Sequence, residues 1–396
     1  MKAASILIKP SSSNCNIDCS YCFYKKLSSK RTDTHHGFMS DETLEMLIKN
    51  AFDYADSHIT FAFQGGEPTL CGIDFFKKAM ELEKKYNING INVENTIQTN
   101  GLLIDEQWCD LLKKNNFLAG LSLDGFKDLH DRHRKDNHQT PTFDKVMKTV
   151  RLFEEYGVSY NILSVITDDT CPHAKELYDF YKENHFQYIQ LIPCLYESDK
   201  ADEHLKNTSE KLSEYQPDSD KYGAFLCELF DCWIKDFDKG YIEEDGNTYP
   251  VPDIRLFSNL AQMAAGYPPE ECGLSGHCTC YFAVEWNGDV YPCDFYCSDK
   301  WKLGTLEKPF AILERSEKAK DFVKSSYYMD EECKTCRYHR LCRGGCRRWR
   351  EEPDGSQGIY KLCDAYKLFL KHTESVIDRL GHIILDAYGP YTINRS

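Results

Sequence analysis

The residues best equipped for chemistry are cysteines, and their spacing sorts them into sets. Near the N-terminus, Cys15-Asn-Ile-Asp-Cys19-Ser-Tyr-Cys22 puts three thiols in one short segment. Three thiolates so placed can hold three irons of a [4Fe–4S] cube. The segment holds no fourth Cys, so one iron keeps an open position, as a substrate-binding metal centre requires. A structural zinc site is the other reading, and it needs a fourth ligand; His35 and His36 stand 13 residues further on. A second string follows: Cys272, Cys278, Cys293, Cys333, Cys336, Cys342, Cys346 and Cys363. Within it Cys333-x2-Cys336 is by itself only a weak zinc-ribbon signal.

The rest of the chain sets the context for these thiols. Its 396 residues are 41% hydrophobic and 28% charged, enough for a barrel-sized domain and a smaller one. A net charge of −15 argues against general nucleic-acid binding. The N-terminal stretch lacks the apolar core of a signal peptide, and no apolar run reaches the ~18 residues of a membrane span. A cytoplasmic protein without membrane attachment is expected. In a reducing compartment the 19 Cys do not pair as disulfides, which leaves metal or cluster ligation as the leading role. Cys71, Cys109, Cys171, Cys227 and Cys232 sit in helix-like apolar contexts and read as core residues. Cys280 and Cys297 stay unassigned, although either could substitute as a ligand.

Short β-rich runs alternate with amphipathic stretches through about residue 195. The runs 5–9, 59–64, 93–99, 118–123, 160–166 and 188–192 read as strands. Helical patterns cover 41–54, 74–86, 106–115, 142–156 and 172–184, with apolar spacing plain at Leu44, Leu47, Ile48 and Ala51. Six strand–helix units predict an α/β fold, a partial (β/α)6 TIM-like barrel rather than a closed eight-fold one. Chemistry then belongs at the strand ends, where the first Cys segment sits. Residues 196–220 are acidic and read as a surface connection, and a helix is expected from about 222 to 239. The boundary is placed so that 1–235 form the barrel and 236–396 a second, cysteine-rich domain.

The C-x3-C-x-aromatic-C segment after a first strand resembles the signature of the radical S-adenosylmethionine (radical SAM) superfamily. That resemblance implies a [4Fe–4S] cluster on Cys15, Cys19 and Cys22 whose open iron chelates S-adenosylmethionine. Phe63-Gln64-Gly65-Gly66-Glu67-Pro68 resembles the family's GGEP motif, so Gly65, Gly66 and Glu67 are implied to face the methionyl group. Tyr21 and Leu195 are implied to pack by the adenine. Ser122 and Asp124 are implied to serve ribose or methionine groups, and Arg134 the methionine carboxylate.

The second cysteine string resembles the SPASM extension of this superfamily. By that pattern Cys272, Cys278, Cys293 and Cys346 hold one auxiliary [4Fe–4S] cluster, and Cys333, Cys336, Cys342 and Cys363 another. Together with Gln98-Thr-Asn-Gly101 and Cys342-Arg-Gly-Gly-Cys-Arg-Arg, the motifs look like those of anaerobic sulfatase-maturating enzymes. The resemblance implies oxidation of a sulfatase Cys or Ser to formylglycine, with Asp294 as the catalytic base and a flavodoxin or ferredoxin as electron donor. Thr305 stands where Asn is expected, away from every implied ligand. The basic run Arg340, Arg343, Arg347, Arg348 and Arg350 reads as a solvated face, as donors to cluster sulfurs, or as a docking patch for that acidic carrier. Two other functions fit the residues: a SPASM enzyme forming thioether or carbon–carbon crosslinks in a ribosomal peptide, and a zinc-stabilised binding protein with no chemistry.

Overall fold

The computed structural model describes residues 2–29, 31–32, 37–195, 215–352 and 355–391. His35, His36 and residues 196–214 of the acidic connection lie outside the described residues. Two compact units interleave along the chain: 1–123, 130–161 and 279–325 make the first, and 124–129, 162–278 and 326–396 the second.

In the first unit, strands β1 (Ala3–Lys9), β2 (His58–Phe63), β3 (Asn92–Thr99) and β4 (Leu118–Ser122) pair in parallel, in chain order. Helices α1 (Phe23–Ser29), α2 (Asp41–Tyr54), α3 (Ile73–Tyr86) and α4 (Glu106–Lys114) carry the chain between them, since parallel neighbours cannot be joined by a tight turn. The helix starts follow capping chemistry. Ser40 Oγ accepts from the Thr43 N–H at 3.2 Å to open α2, and Asp105 Oδ1 accepts from the Trp108 N–H at 3.0 Å to open α4. Leu44, Leu47, Ile48 and Ala51 are all buried, on the face their spacing predicted. An aromatic core fills the layer between strands and helices, with Phe76 4.9 Å from Phe63 and 5.1 Å from Trp108 between ring centres. Further along come α5 (Lys127–His133) and α6 (Phe143–Tyr156).

In the second unit, β5 (Ser159–Ile166) pairs in parallel with β6 (Tyr188–Pro193) from Ile162↔Ile189 to Ile166↔Pro193, and α7 (Ala174–Glu183) connects them. All six strands expected from the sequence are therefore present, within two residues at each end. A hairpin of β7 (Ile242–Glu244) and β8 (Asn247–Tyr249) follows, and β9 (Asp253–Ile254) adds to β6. Helices Ser219–Lys239, Arg255–Ala264 and Cys363–Tyr388 pack through Phe230, Phe257 and Phe369, whose ring centres lie 5.0 to 5.8 Å apart. Gly381 permits the close approach: a Cβ there would stand 2.9 Å from the Ala264 Cβ.

Sequence reasoning missed β10 (Phe282–Glu285), β11 (Asp289–Tyr291) and β12 (Gly304–Thr305). Strand β10 runs parallel to β1, with Ile6↔Phe282 through Lys9↔Glu285 in register, and β11 and β12 extend that edge antiparallel. The segment 279–325 thus belongs to the same compact unit as β1. Among the described residues no helix is long and apolar enough to cross a membrane.

One buried acid makes this unit sensitive to pH. Glu83 on α3 is 8% exposed, and its Oε2 accepts from Asn95 Nδ2 at 3.0 Å. Burial pushes its carboxyl up to about 7, against the pull of the Asn95 amide. The folded chain therefore keeps a proton that the unfolded chain sheds near the ordinary carboxyl value of 4.5. The associated stability is present below that lower value and lost as pH rises through about 7. We expect Glu83→Gln to stabilise the protein by about 1–3 kcal/mol at pH 8 and by far less at pH 5. Urea midpoints at the two pH values read this, and an equal gain at both would refute it.

Candidate active site

The segment carrying Cys15, Cys19 and Cys22 leaves the end of β1 and has almost no secondary structure, so its geometry depends on ties to neighbours. Ser11 Oγ donates to Gly65 O at 3.0 Å, and the Glu67 N–H donates to Asn14 O at 2.8 Å. On the other side the Asp18 N–H donates to Lys135 O at 2.7 Å and the Ser20 N–H to His133 O at 3.1 Å. The GGEP turn and the segment around Arg134 thus grip the three-thiol loop from two directions. Gly65 and Gly66 have φ of +97° and +53°, and a Cβ on Gly66 would stand 2.2 Å from Asn14 O. Only glycine fits there.

Burial pushes the Cys15 thiol up to about 11, the Ile17 N–H pulls it back, and the charges of Glu67 and Cys22 add to the rise. Arg134 Nη1 stands 3.7 Å from Cys19 Sγ, and the guanidinium lies 5.6 Å from the Tyr21 ring centre. Arg134 is buried against this loop and is no solvated charge. The Glu67 side chain is engaged within its own turn and its surroundings. Its carboxylate accepts from the Thr69 N–H, Thr69 Oγ1, Thr99 Oγ1 and the Asn100 N–H at 2.6–3.1 Å, and the residue is 1% exposed. Its side chain braces the loop from within. Ser122 is buried at the end of β4 in the same unit. Asp124 and Leu195 are buried in the second unit, where Asp124 Oδ1 accepts from the Val165 N–H at 3.0 Å.

Asp294 follows β11 and meets residues that the sequence reading passed over. Its Oδ1 lies 2.5 Å from Lys9 Nζ, and its Oδ2 accepts from Gln64 Nε2 at 2.9 Å. Lys9 has no exposed surface, and its ammonium stands 3.7 Å from the Tyr24 ring centre. Burial alone would lower the Lys9 pKa, but Asp294, Cys297 and Glu285 together raise it, so the ammonium persists. Beside it Arg31 Nη1 pairs with Glu285 Oε1 at 2.9 Å, Arg31 Nη2 donates to the Tyr24 hydroxyl at 2.8 Å, and that hydroxyl donates to Glu285. Two buried cations thus balance two carboxylates. A lysine closing the apolar run Ile6-Leu7-Ile8 was the available signal for this network. Cys297 is fully buried in the adjacent apolar cluster with its thiol on Cys293 O at 3.6 Å, which makes it a core residue.

In the second unit the thiols fall into two groups. Burial pushes Cys272 up to about 12, with Cys346 and Cys278 as its nearest like charges. Cys342 is pushed up to about 12 by burial and feels Cys363, Cys333 and Cys336. These last four line one small, partly open recess. Cys293 belongs to the first unit. Among the described residues no three Cys, His, Asp or Glu side chains close on one ion-sized point. A cube takes each thiolate on a different iron, so it accommodates more widely set thiols. The basic run is largely engaged internally. Arg350 donates to the carbonyls of Ser326 and Tyr328 at 2.8 and 2.6 Å, Arg340 pairs with Asp378 at 2.6 Å, and Arg348 pairs with Glu351 at 3.1 Å. Arg347 is buried, and its charge and that of Arg350 offset the Cys278 thiolate.

Gly66→Ala tests the grip on the first loop. The strained φ and the clash with Asn14 O should loosen it, at a cost on the order of 1–3 kcal/mol. Cys15 should then react faster with a thiol reagent in the metal-free protein, whereas an unchanged rate would show that the loop tolerates a methyl group.

Comparisons with known proteins agree with this arrangement. Residues 10–181 match the Radical SAM superfamily, and residues 276–337 match SPASM, an iron-sulfur cluster-binding domain. A cysteine-type anaerobic sulfatase-maturating enzyme from Clostridium perfringens is 42% identical over 374 residues, covering 94% of this chain and 96% of its own. A serine-type anaerobic sulfatase-maturating enzyme from Bacteroides thetaiotaomicron is 31% identical over 409 residues, 100% of this chain and 95% of its own. The solved structure of native anSMEcpe with bound AdoMet and Cp18Cys peptide superposes with a TM-score of 0.86 at 40% identity, covering 97% of this chain and 100% of that one. This chain belongs to the anaerobic sulfatase-maturating enzymes, oxidoreductases of the radical SAM superfamily.

Proposed function

We propose that this enzyme oxidises a cysteine of a sulfatase to Cα-formylglycine, using three [4Fe–4S] clusters and S-adenosylmethionine. The observation that carries the reading is Asp294, a carboxylate held between Lys9 and Gln64 in the same unit as the three-thiol loop. Preference for cysteine rests on similarity: the cysteine-type relatives are 41–42% identical to this chain and the serine-type relatives 28–31%. We assign Cys15, Cys19 and Cys22 to the cluster with the open iron. Cys272, Cys278, Cys293 and Cys346 hold the first auxiliary cluster, and Cys333, Cys336, Cys342 and Cys363 the second. The residues fit such groups: the thiols of each set influence one another, one set lines a shared recess, and arginines stand near the Cys278 thiolate.

Reductive cleavage of the bound S-adenosylmethionine supplies a carbon radical able to remove a hydrogen atom from the substrate Cβ. Asp294 takes the thiol proton as a second electron, which the auxiliary clusters would accept, leaves the substrate, and a thioaldehyde results. Water then replaces sulfur, releasing hydrogen sulfide and leaving the aldehyde. Lys9 and Gln64 hold the carboxylate in place, so its lone pairs are positioned before reaction. Tyr21, Gly65, Gly66, Ser122, Asp124, Arg134 and Leu195 are assigned to the S-adenosylmethionine site. Glu67 shapes that site from within its turn. A flavodoxin or ferredoxin is the donor class we propose, acting in a reducing cytoplasm.

Changing Cys15, Cys19 and Cys22 together to Ala should leave about eight of about twelve irons and abolish 5′-deoxyadenosine formation. Cleavage persisting in that variant would remove the assignment. Asp294→Asn keeps size but not basicity, so 5′-deoxyadenosine should still form while formylglycine falls by ~10²–10⁴-fold. Mass spectrometry and aldehyde capture on a sulfatase peptide read both products. A parallel fall in the two would instead make Asp294 a structural neighbour of Cys293.

A further inference from the structure

The segment Gln98-Thr-Asn-Gly101 closes β3 and runs past its end, and it takes no part in the chemistry above, yet Asn100 is 6% exposed and every polar group of its side chain is engaged. Its Oδ1 accepts from the Leu102 N–H at 3.0 Å. A backbone N–H can only donate, so this bond fixes which way round the amide lies. The Nδ2 group therefore faces the Cys loop, where it donates to Asn16 Oδ1 at 2.8 Å and points to Cys15 Sγ at 3.7 Å. The backbone is fixed as well, because the Asn100 N–H donates to Glu67 Oε2 at 2.7 Å. Glu67 in turn holds Thr69 and Thr99, and its own N–H holds Asn14 O at 2.8 Å, one residue before Cys15.

We infer that Asn100 is a positioning residue that donates an N–H···S hydrogen bond to the Cys15 thiolate and sets the reduction potential of the cluster on Cys15, Cys19 and Cys22. The inference rests on the ligand assignment of the preceding subsection. Hydrogen bonds to ligand sulfurs are among the factors that set cluster potentials. The direction follows from charge. Reduction adds an electron that spreads onto the thiolates, and a donor aimed at one of them stabilises the reduced form more than the oxidised form. The amide therefore raises the potential and eases entry of the electron that starts each turnover. Being neutral and buried, it does so without titrating and without competing for the open iron. Each Nδ2 hydrogen has its own acceptor, Asn16 Oδ1 or Cys15 Sγ, so the donor to sulfur cannot rotate away without losing both.

The test is an anaerobic redox titration of the three-cluster enzyme, followed through the electron paramagnetic resonance signal that changes on adding S-adenosylmethionine. Asn100→Asp keeps the acceptor for Leu102 but has no N–H, and Asn100→Leu keeps the approximate volume and has neither group. Asn16→Ala removes the second acceptor and leaves the donor to sulfur. We expect both Asn100 variants to retain wild-type iron and to shift the midpoint to more negative potential. The reduced fraction at a fixed ambient potential should fall threefold to tenfold, where tenfold is ~59 mV for a one-electron couple. Asn16→Ala should leave the midpoint in place. Wild-type midpoints in both Asn100 variants, or iron loss from both with an unchanged midpoint in what remains, would overturn the inference and leave Asn100 a structural residue. If the wild-type signal ignored S-adenosylmethionine, the ligand assignment itself would fail, which is a separate result.

Discussion

Backbone pairing between β1 and β10 joins two strands that about two thirds of the chain separates, and the groups of the candidate site take their places from it. Strand β1 ends in Lys9 and runs on into the three-thiol loop, so its position decides where Cys15, Cys19 and Cys22 start. Strand β10 sets Glu285 directly across from Lys9. The turn into β11 then returns the chain to Asp294, whose carboxylate reaches the same ammonium. A parallel ladder is strict about register, since a one-residue slip would send Lys9 and Glu285 to opposite faces. The cost is kinetic: contacts this distant in sequence close late, because loop-closure entropy must be met before they form.

That pairing puts charge where there is no water, and the surroundings show how it is tolerated. An isolated buried ion costs several kcal/mol, so each must find a partner of opposite sign with good geometry. Around β1 the solution is local balance: Lys9 and Arg31 against Asp294 and Glu285, with the Tyr24 ring face and hydroxyl filling the remaining directions. Around the second unit's thiols the problem is one-sided, because every ligand becomes a thiolate. Arginines answer it there. In a chain of net charge −15, Arg347 and Arg350 are held inside, near Cys278, where a solvated basic face would have kept them out. Within the basic run, Arg347 and Arg350 act as internal counter-charge, while Arg340 pairs with Asp378 at the surface.

The barrel strands and their helices were legible because each carries its own period, and apolar spacing such as Leu44, Leu47, Ile48 and Ala51 reports a buried face without knowing its partner. The cysteine spacing was readable for a similar reason, since spacing within a loop is local. What stayed hidden is long-range. Strands as short as β10 and β11 carry too few residues for a period to show, and only their pairing with β1 makes them strands. Gln64 and Tyr24 gave no sign that they attend Asp294 and Lys9, because hydrogen-bond partners far apart in sequence leave no pattern. Lys9 did leave one, a charge ending an apolar strand. For the second-unit helix Cys363–Tyr388, the apolar spacing of Phe369, Leu370 and Ile377 behind its first cysteine was the available signal.

Glu67 shows how a motif residue can serve a site through what it holds in place. Its neighbours Gly65 and Gly66 suit close approach by a ligand, and a carboxylate beside them reads naturally as one more contact. Yet the ligand loop from Cys15 to Cys22 has no helix or strand to hold it, and a loop of that kind drifts unless its backbone is tied. Glu67 supplies the tie from the buried side: its N–H takes Asn14 O, and its carboxylate gathers Thr69, Thr99 and Asn100. Burial pushes that carboxyl above its ordinary range even with these donors, so exposing it to a ligand would mean giving up bonds that justify its position. The turn therefore works as a unit in which glycines make the space and the glutamate keeps it in shape. The same carboxylate also holds the backbone of Asn100, whose amide faces Cys15, so one buried acid fixes the loop's entry and the residue that watches over its first thiol.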